Sequence, residues 1–227
     1  MNRVVLARVL PFAVFMAFIG LEEIIKIFAQ GGPSQLAFTS NHYLYPVKTL
    51  VVVVLLIIFS RSYKEINLRD LLKPFSVVLS IVAGFLVFFL WIHMDWSFNA
   101  IRPTGYDPTA FQDDQLRLAM TGVRLFGAVI VVPVMEELFW RSFLLRYIID
   151  SDFSKVPIGT FTWPSFILSS VLFGLEHHYV FAGIMAGIVY NLLLYRTKSI
   201  VQCILAHALT NLLLGIYVLS TGAWHFW

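Results

Sequence analysis

The chain has a single cysteine, Cys203, so no disulfide can form within it and no redox compartment can be read from it. Set in an apolar run, that thiol reads as a small core residue. Charge is also scarce. Only 13% of residues are Asp, Glu, Lys or Arg where about 25% is usual, against 59% hydrophobic and 16% aromatic. So few charges cannot cover a soluble surface, which excludes a water-soluble domain with a large core and leaves an integral membrane protein. No pattern of basic and aromatic residues suggests nucleic acid, and the formal charge of +3 comes from loop bases of the kind that orient membrane proteins. The first apolar run opens with Arg3 and Arg8 and ends without a small-residue cleavage site, so it reads as a retained anchor. There is no internal repeat and no low-complexity tract. The expectation is one membrane domain over residues 1–227.

What is present is hydrophobic run after hydrophobic run. A membrane span takes about 20 apolar residues, and seven candidates fit: about 6–28, 43–60, 72–94, 118–148, 163–178, 180–195 and 199–219. Between them, GGPS (31–34), the stretch 61–70, the stretch 95–115 and the stretch 150–159 carry the Gly, Pro, Ser and charges of loops. Basic loops stay cytoplasmic. Arg3 and Arg8 precede or open the first span; Arg61, Lys64, Arg69 and Lys73 fill the second loop; Arg146 and Lys155 flank the fourth; Arg196 and Lys198 flank the sixth. The third loop instead carries Asp95, Asp107, Asp113 and Asp114. The fold expected is therefore an all-α polytopic bundle of about seven transmembrane spans with the N-terminus cytoplasmic, in the inner (cell) membrane.

Against this background the ionisable residues inside spans stand out, since each costs about 2.5–3.5 kcal/mol at a helix centre and by default marks function. In PVMEELFWRSFLLRY, Glu137 and Arg141 are four apart with the acid N-terminal, the favourable order for an ion pair on one helix face. Glu136 points about 100° away and lacks that partner. One glutamate thus reads as a clamp and the other as a free carboxylate in dry surroundings, available as a base. Pro133 removes a backbone bond and should loosen the turn before it, bringing Glu136 to the border of a cavity. In LFGLEHHYV, Phe173 and His177 share a face while Glu176 and His178 lie off it; in CILAHALTNLLL, His207 and Asn211 share a face. Counting about 1.5 Å of rise per residue, the three clusters can meet at one level. Glu22, Glu23 and Lys26 imitate the first motif without a neighbouring histidine, and both acids can reach Lys26; they read as a structural or interfacial pair.

E-E-x-x-x-R (Glu136, Glu137, Arg141), F-x-x-x-H (Phe173, His177) and H-x-x-x-N (His207, Asn211), in this order on late spans, resemble the CAAX protease and bacteriocin-processing (CPBP, or Abi) family of intramembrane proteases. The resemblance covers about residues 118–215, which would form the catalytic core, with residues 1–94 as three accessory spans. It implies that Glu136 and His177 activate a water for attack on a peptide carbonyl, that His207 and Asn211 stabilise the oxyanion, and that Glu137, Arg141 and Phe173 support them. The doubled histidine makes His178 an additional candidate. Members are often called metalloproteases, and Glu, His and His could hold zinc; with no H-E-x-x-H in the chain, the expectation is chemistry without a metal and without another cofactor, zinc being the alternative. The implied partners are the lipid bilayer and a membrane-associated peptide or protein substrate. The wording F-G-L-E-H-H is also similar to CAAX-protease-related proteins that accompany exosortase sorting systems. The competing expectation is a catalytically silent scaffold or bacteriocin-immunity factor on the same fold.

Overall fold

The structure, a computed structural model, describes residues 3–29, 34–95 and 105–227. Residues 31–33 of the first predicted loop and 96–104 of the third lie outside the described residues. Among the described residues seven long helical runs follow one another: α1 (Arg3–Ala29), α2 (Ser34–Ile58), α3 (Pro74–His93), α4 (Asp114–Ile149), α5 (Trp163–Leu175), α6 (Val180–Thr197) and α7 (Ile200–Thr221). No strand occurs among the described residues. Five of the seven, α1, α3, α4, α6 and α7, are long and apolar enough to cross a membrane, while α2 over His42–Ile58 and α5 are shorter apolar helices. Each predicted span has its helix, and the protein is an all-α polytopic membrane protein.

The helix ends follow local chemistry. Asp113 caps α4 by accepting the Leu116 amide at 2.7 Å. Thr162 caps α5, with Pro164 in its first turn where a missing N–H costs nothing. Gly222, at φ +70°, closes α7 in the left-handed conformation that favours glycine. Packing pairs α1 with α2 and α5 with α6, and lays α3 against α6 and α7. The core between these layers contains Val87, Trp140, Phe173, Tyr190 and Ala206. Outward faces stay apolar, as with Phe75, Phe85 and Phe89 on α3 and Ile216 on α7. In water those residues would be a liability; in lipid they are the solvent-facing side.

Two bases that the charge count assigns to the cytoplasmic side are also part of the packing. Arg8 is buried and donates from Nη2 to Glu65 at 2.7 Å and from Nε to Ser142 at 3.0 Å, tying α1, the second loop and α4 together. Arg146 donates from Nη1 to the Val156 carbonyl at 3.0 Å. Burial by itself would raise Glu65, but hydrogen bonds from Arg8 and Ser142 hold its carboxyl below the usual range. Asp70 is similar: burial opposes ionisation, yet Lys73 and the Ser199 hydroxyl keep the carboxyl below its ordinary value. Gln202 of α7 adds a 2.7 Å hydrogen bond to the Asp70 carbonyl. The second loop is thereby fixed to α1 and to α7.

Candidate active site

The site is built on a break in α4. The run is regular over Val132–Glu137 but π-helical over Gly127–Val131 and again over Leu138–Leu144. The loosening expected near Pro133 therefore takes the form of a π turn immediately before it, a form common at functional sites. Gly127 lies against the Tyr45 hydroxyl so closely that a β-carbon would collide with it, so glycine is what lets α2 approach this turn. The π turn also turns the Ala128 carbonyl to Asn211, whose Nδ2 donates to it at 2.7 Å. Asn211 is thus anchored through one N–H and keeps a second for a ligand.

Beside the break lies a cavity of ≈ 560 Å³ whose walls include Glu136, Glu176, His177, His178, His207 and Asn211. Val87 and Trp91 of α3 and Phe15 of α1 supply apolar wall. The three motif clusters predicted to share a depth do share one cavity.

The two adjacent glutamates have different surroundings. Glu137 is fully buried, and its Oε1 accepts from Arg141 Nη1 at 3.2 Å and from His207 Nδ1 at 2.9 Å. The Arg141 guanidinium, 1% exposed, lies 4.4 Å from the Phe173 ring centroid and 5.4 Å from that of Tyr190. Phe173 therefore serves the site twice, because its carbonyl also takes the His177 Nδ1 proton at 2.7 Å. Glu136 has no such compensation. It is 7% exposed, its Oε2 is buried without a hydrogen-bond partner among the described residues, and the nearest base is His207 Nε2 at 3.9 Å.

These bonds fix tautomers, since carbonyl and carboxylate oxygens only accept. His177 gives its Nδ1 proton to Phe173 and keeps Nε2 as an acceptor; His207 gives its Nδ1 proton to Glu137 and turns Nε2 toward Glu136. His207 also stacks on Tyr190, with ring centroids 5.1 Å apart. Close approach of α5 and α6 places His177: a β-carbon on Gly183 would sit 3.2 Å from His177 Nδ1 and 2.8 Å from Gly174 Cα. His178 is exposed at the cavity wall.

Sequence reasoning missed two features. Glu137 is more than a clamp for Arg141, because it also orients His207; a pattern of spacings within one helix cannot show a contact across 70 residues. Glu176 was set aside as lying off the Phe173–His177 face. Yet the cavity is lined by more than that one face, and Glu176 borders it beside His177. The Glu22, Glu23 and Lys26 reading also needs correction: Lys26 pairs with Glu23 at 2.7 Å, whereas Glu22 bonds Lys48 of α2 through both oxygens at 3.0 Å. Helix-to-helix pairing won over the local i, i+4 option, since burial of Lys48 demands a counter-charge.

The side chains able to hold a divalent cation are Glu136, Glu176 and His177, whose donor atoms lie within 4.8 Å of one another, the one such group among the described residues. His207 is not in that group, although its Nε2, 3.9 Å from Glu136, stays available as a ligand while Nδ1 donates to Glu137. A cation on that group would supply Lewis-acid polarisation of a water.

Residues 119–213 match the family described as type II CAAX prenyl endopeptidase Rce1-like. No match is found among curated proteins or solved structures. The matched segment carries all three motifs, the broken helix and most of the polar wall of the cavity, and it is this part of the chain that is similar to the CAAX protease (CPBP) family.

Proposed function

We propose that this protein is an intramembrane endopeptidase that cleaves a peptide bond in a membrane-associated protein or peptide, using a water activated by Glu136. The observation that carries the reading is the contrast between the glutamates: Glu137 accepts two hydrogen bonds on Oε1, from Arg141 and His207, and keeps only Oε2 unpartnered, while Glu136 borders the cavity with Oε2 unpartnered and its nearest base 3.9 Å away. A buried carboxylate without partners is expensive to keep, and a general base is the use the surrounding groups fit.

In this mechanism Glu136 takes a proton from water as the oxygen attacks the carbonyl carbon, and His177 Nε2 accepts the second water hydrogen to orient it. The developing oxyanion is met by the free Asn211 N–H, with His207 as the second group facing it. Glu137 holds the His207 ring in register, and Arg141 and Phe173 hold Glu137. No step requires a metal. The chain is placed in the cell (inner) membrane with its N-terminus cytoplasmic, and a partner sorting system of the exosortase type fits the F-G-L-E-H-H wording.

Comparison of membrane peptides in cells carrying wild-type and Glu136→Gln protein tests the reading. A defined precursor should accumulate with the variant, and purified wild-type protein should keep cleaving it after exhaustive chelation. An unchanged peptide profile with the biological effect intact would point to a silent scaffold. Activity lost on chelation and restored by stoichiometric zinc would replace the metal-free route.

A further inference from the structure

We propose that the far end of the cavity, around Arg124, is a substrate subsite for a carboxylate, an acidic side chain or a free peptide end, a few residues from the scissile bond; the assignment rests on the peptidase reading of the same cavity. Three Lys or Arg side chains line that cavity: Lys26, Lys48 and Arg124. Lys48 is neutralised by both oxygens of Glu22 at 3.0 Å, and Lys26 by Glu23 at 2.7 Å. Arg124 has no carboxylate partner among the described residues, and its Nε is buried without a hydrogen bond.

What surrounds the guanidinium is aromatic. Its Cζ lies 4.1 Å from the Tyr45 ring centroid, 5.4 Å from that of Tyr106 and 5.9 Å from that of Trp227. Attraction to a π cloud holds the cation without using up its N–H donors, which remain for an acceptor. The Tyr45 hydroxyl also donates to the Arg124 carbonyl at 3.3 Å, tying α2 to α4 at this point. Arg124 is thus positioned but not neutralised. A guanidinium does not deprotonate, so a half-buried one needs an anion, and in a substrate cavity the substrate can bring it.

Charge balance selects the class of anion. Lys48 lies 5.1 Å from the same Tyr45 ring with Glu22 set against it, so this end of the cavity carries one unmatched positive charge. A monoanion matches it, whereas a polyanion would also meet the Glu22 carboxylate. Two parallel N–H donors of a guanidinium fit the two oxygens of a carboxylate. Arg124 and Glu136 share α4, and the twelve-residue step between them is roughly 18 Å at 1.5 Å of rise per residue. An extended peptide covers that length in about five residues. The subsite therefore acts as a ruler, fixing how far from a carboxylate the chain is cut.

The test uses the full chain in phosphatidylcholine nanodiscs, with unfolding temperature checked for every variant. The probes are short apolar peptides amidated at the C-terminus with one Asp at each position in turn, their Asn counterparts, and an Asp-free set ending in a free acid. Affinity is read in the Glu136→Gln background, where peptides stay intact, and cuts made by protein with Glu136 present are mapped by mass spectrometry. The acid of one set or the other should bind about 10- to 100-fold more tightly than its uncharged counterpart, and which set does so tells a side chain from a chain end. The cut should move with the carboxylate, staying about five residues from it. Arg124→Gln should abolish the difference, Arg124→Lys should recover part of it, and Arg124→Glu should prefer peptides with Lys in place of Asp. Equal affinity of every acid and its uncharged counterpart in protein that keeps Arg124 overturns the subsite, whatever the variants do. So does a preference that survives Arg124→Gln, or a cut that ignores where the carboxylate sits. Loss of phosphatidylglycerol binding in Arg124→Gln with the peptide preference intact also overturns it, and assigns the cation to a lipid phosphate. Carboxylate-dependent binding with no peptide cut by wild type removes the peptidase reading and leaves the carboxylate site standing.

Discussion

Replacing Glu137 with Gln removes the one charge on which two buried donors converge. Breaking a buried ion pair from one side usually costs about 3–5 kcal/mol, because the other charge is left behind. Two features soften that here. The stranded Arg141 keeps its place over the Phe173 and Tyr190 rings, at 4.4 and 5.4 Å, an arrangement worth about 2 kcal/mol when dry. The Gln amide oxygen still accepts one of the two hydrogen bonds. The expected net loss is about 2–3 kcal/mol, roughly a 30- to 150-fold shift in the folded-to-unfolded ratio. Thermal unfolding in detergent should read it as a lower transition temperature. A double-mutant cycle with Arg141→Met should show the pair less damaged together than the sum of the single variants. Turnover should fall as well, since His207 Nδ1 loses the charged acceptor that holds its ring at 2.9 Å. Glu136→Gln is the opposite case: it removes an oxygen without partners, so activity should vanish while stability is unchanged or slightly higher. Wild-type stability in Glu137→Gln, or strict additivity in the cycle, would refute the argument that this carboxylate carries the buried charge network.

Asn211→Ala should lower turnover about 10²–10³-fold with little change in apparent affinity, and should also destabilise by about 1 kcal/mol through the lost bond to Ala128; a change confined to affinity would remove the oxyanion role. The second loop should make the protein acid-labile. Glu65 and Asp70 ionise below their ordinary values when folded, so their stabilisation is complete above the unfolded carboxyl range and is lost as pH falls through the folded values. Glu65→Gln and Asp70→Asn should each flatten the fall in unfolding temperature on acidification, and an unaltered pH profile would count against the linkage. For orientation, a cysteine placed at Asp152 in a Cys203→Ala chain should react with reagent from the cytoplasmic side and one at Thr109 from the opposite side; the reverse would invert the topology.

How far the sequence could be read depended on whether a feature lives within one helix or between two. Run lengths located the seven long helices seen among the described residues, because lipid demands unbroken apolar stretches with internal backbone bonding. The Glu137–Arg141 pair, the isolation of Glu136 and the Phe173–His177 face were legible because helical rotation fixes neighbours three and four residues apart. The same rule misassigned Glu22, which had Lys26 within reach but found Lys48 on another helix. It also leaves Glu176 off the Phe173–His177 face, although the cavity is lined by both Glu176 and His177.

By itself, then, the sequence determined the membrane class, the helix positions and the identity of the polar side chains, all of which follow from hydrophobicity and a fixed helical period. Tertiary structure alone decided that Glu137 serves His207, that Pro133 is preceded by a π turn which presents the Ala128 carbonyl to Asn211, and that Glu136, Glu176 and His177 come within 4.8 Å of one another. These are contacts across tens of residues, set by the packing of α4 against α5 and α7, and no periodicity within a single helix encodes them.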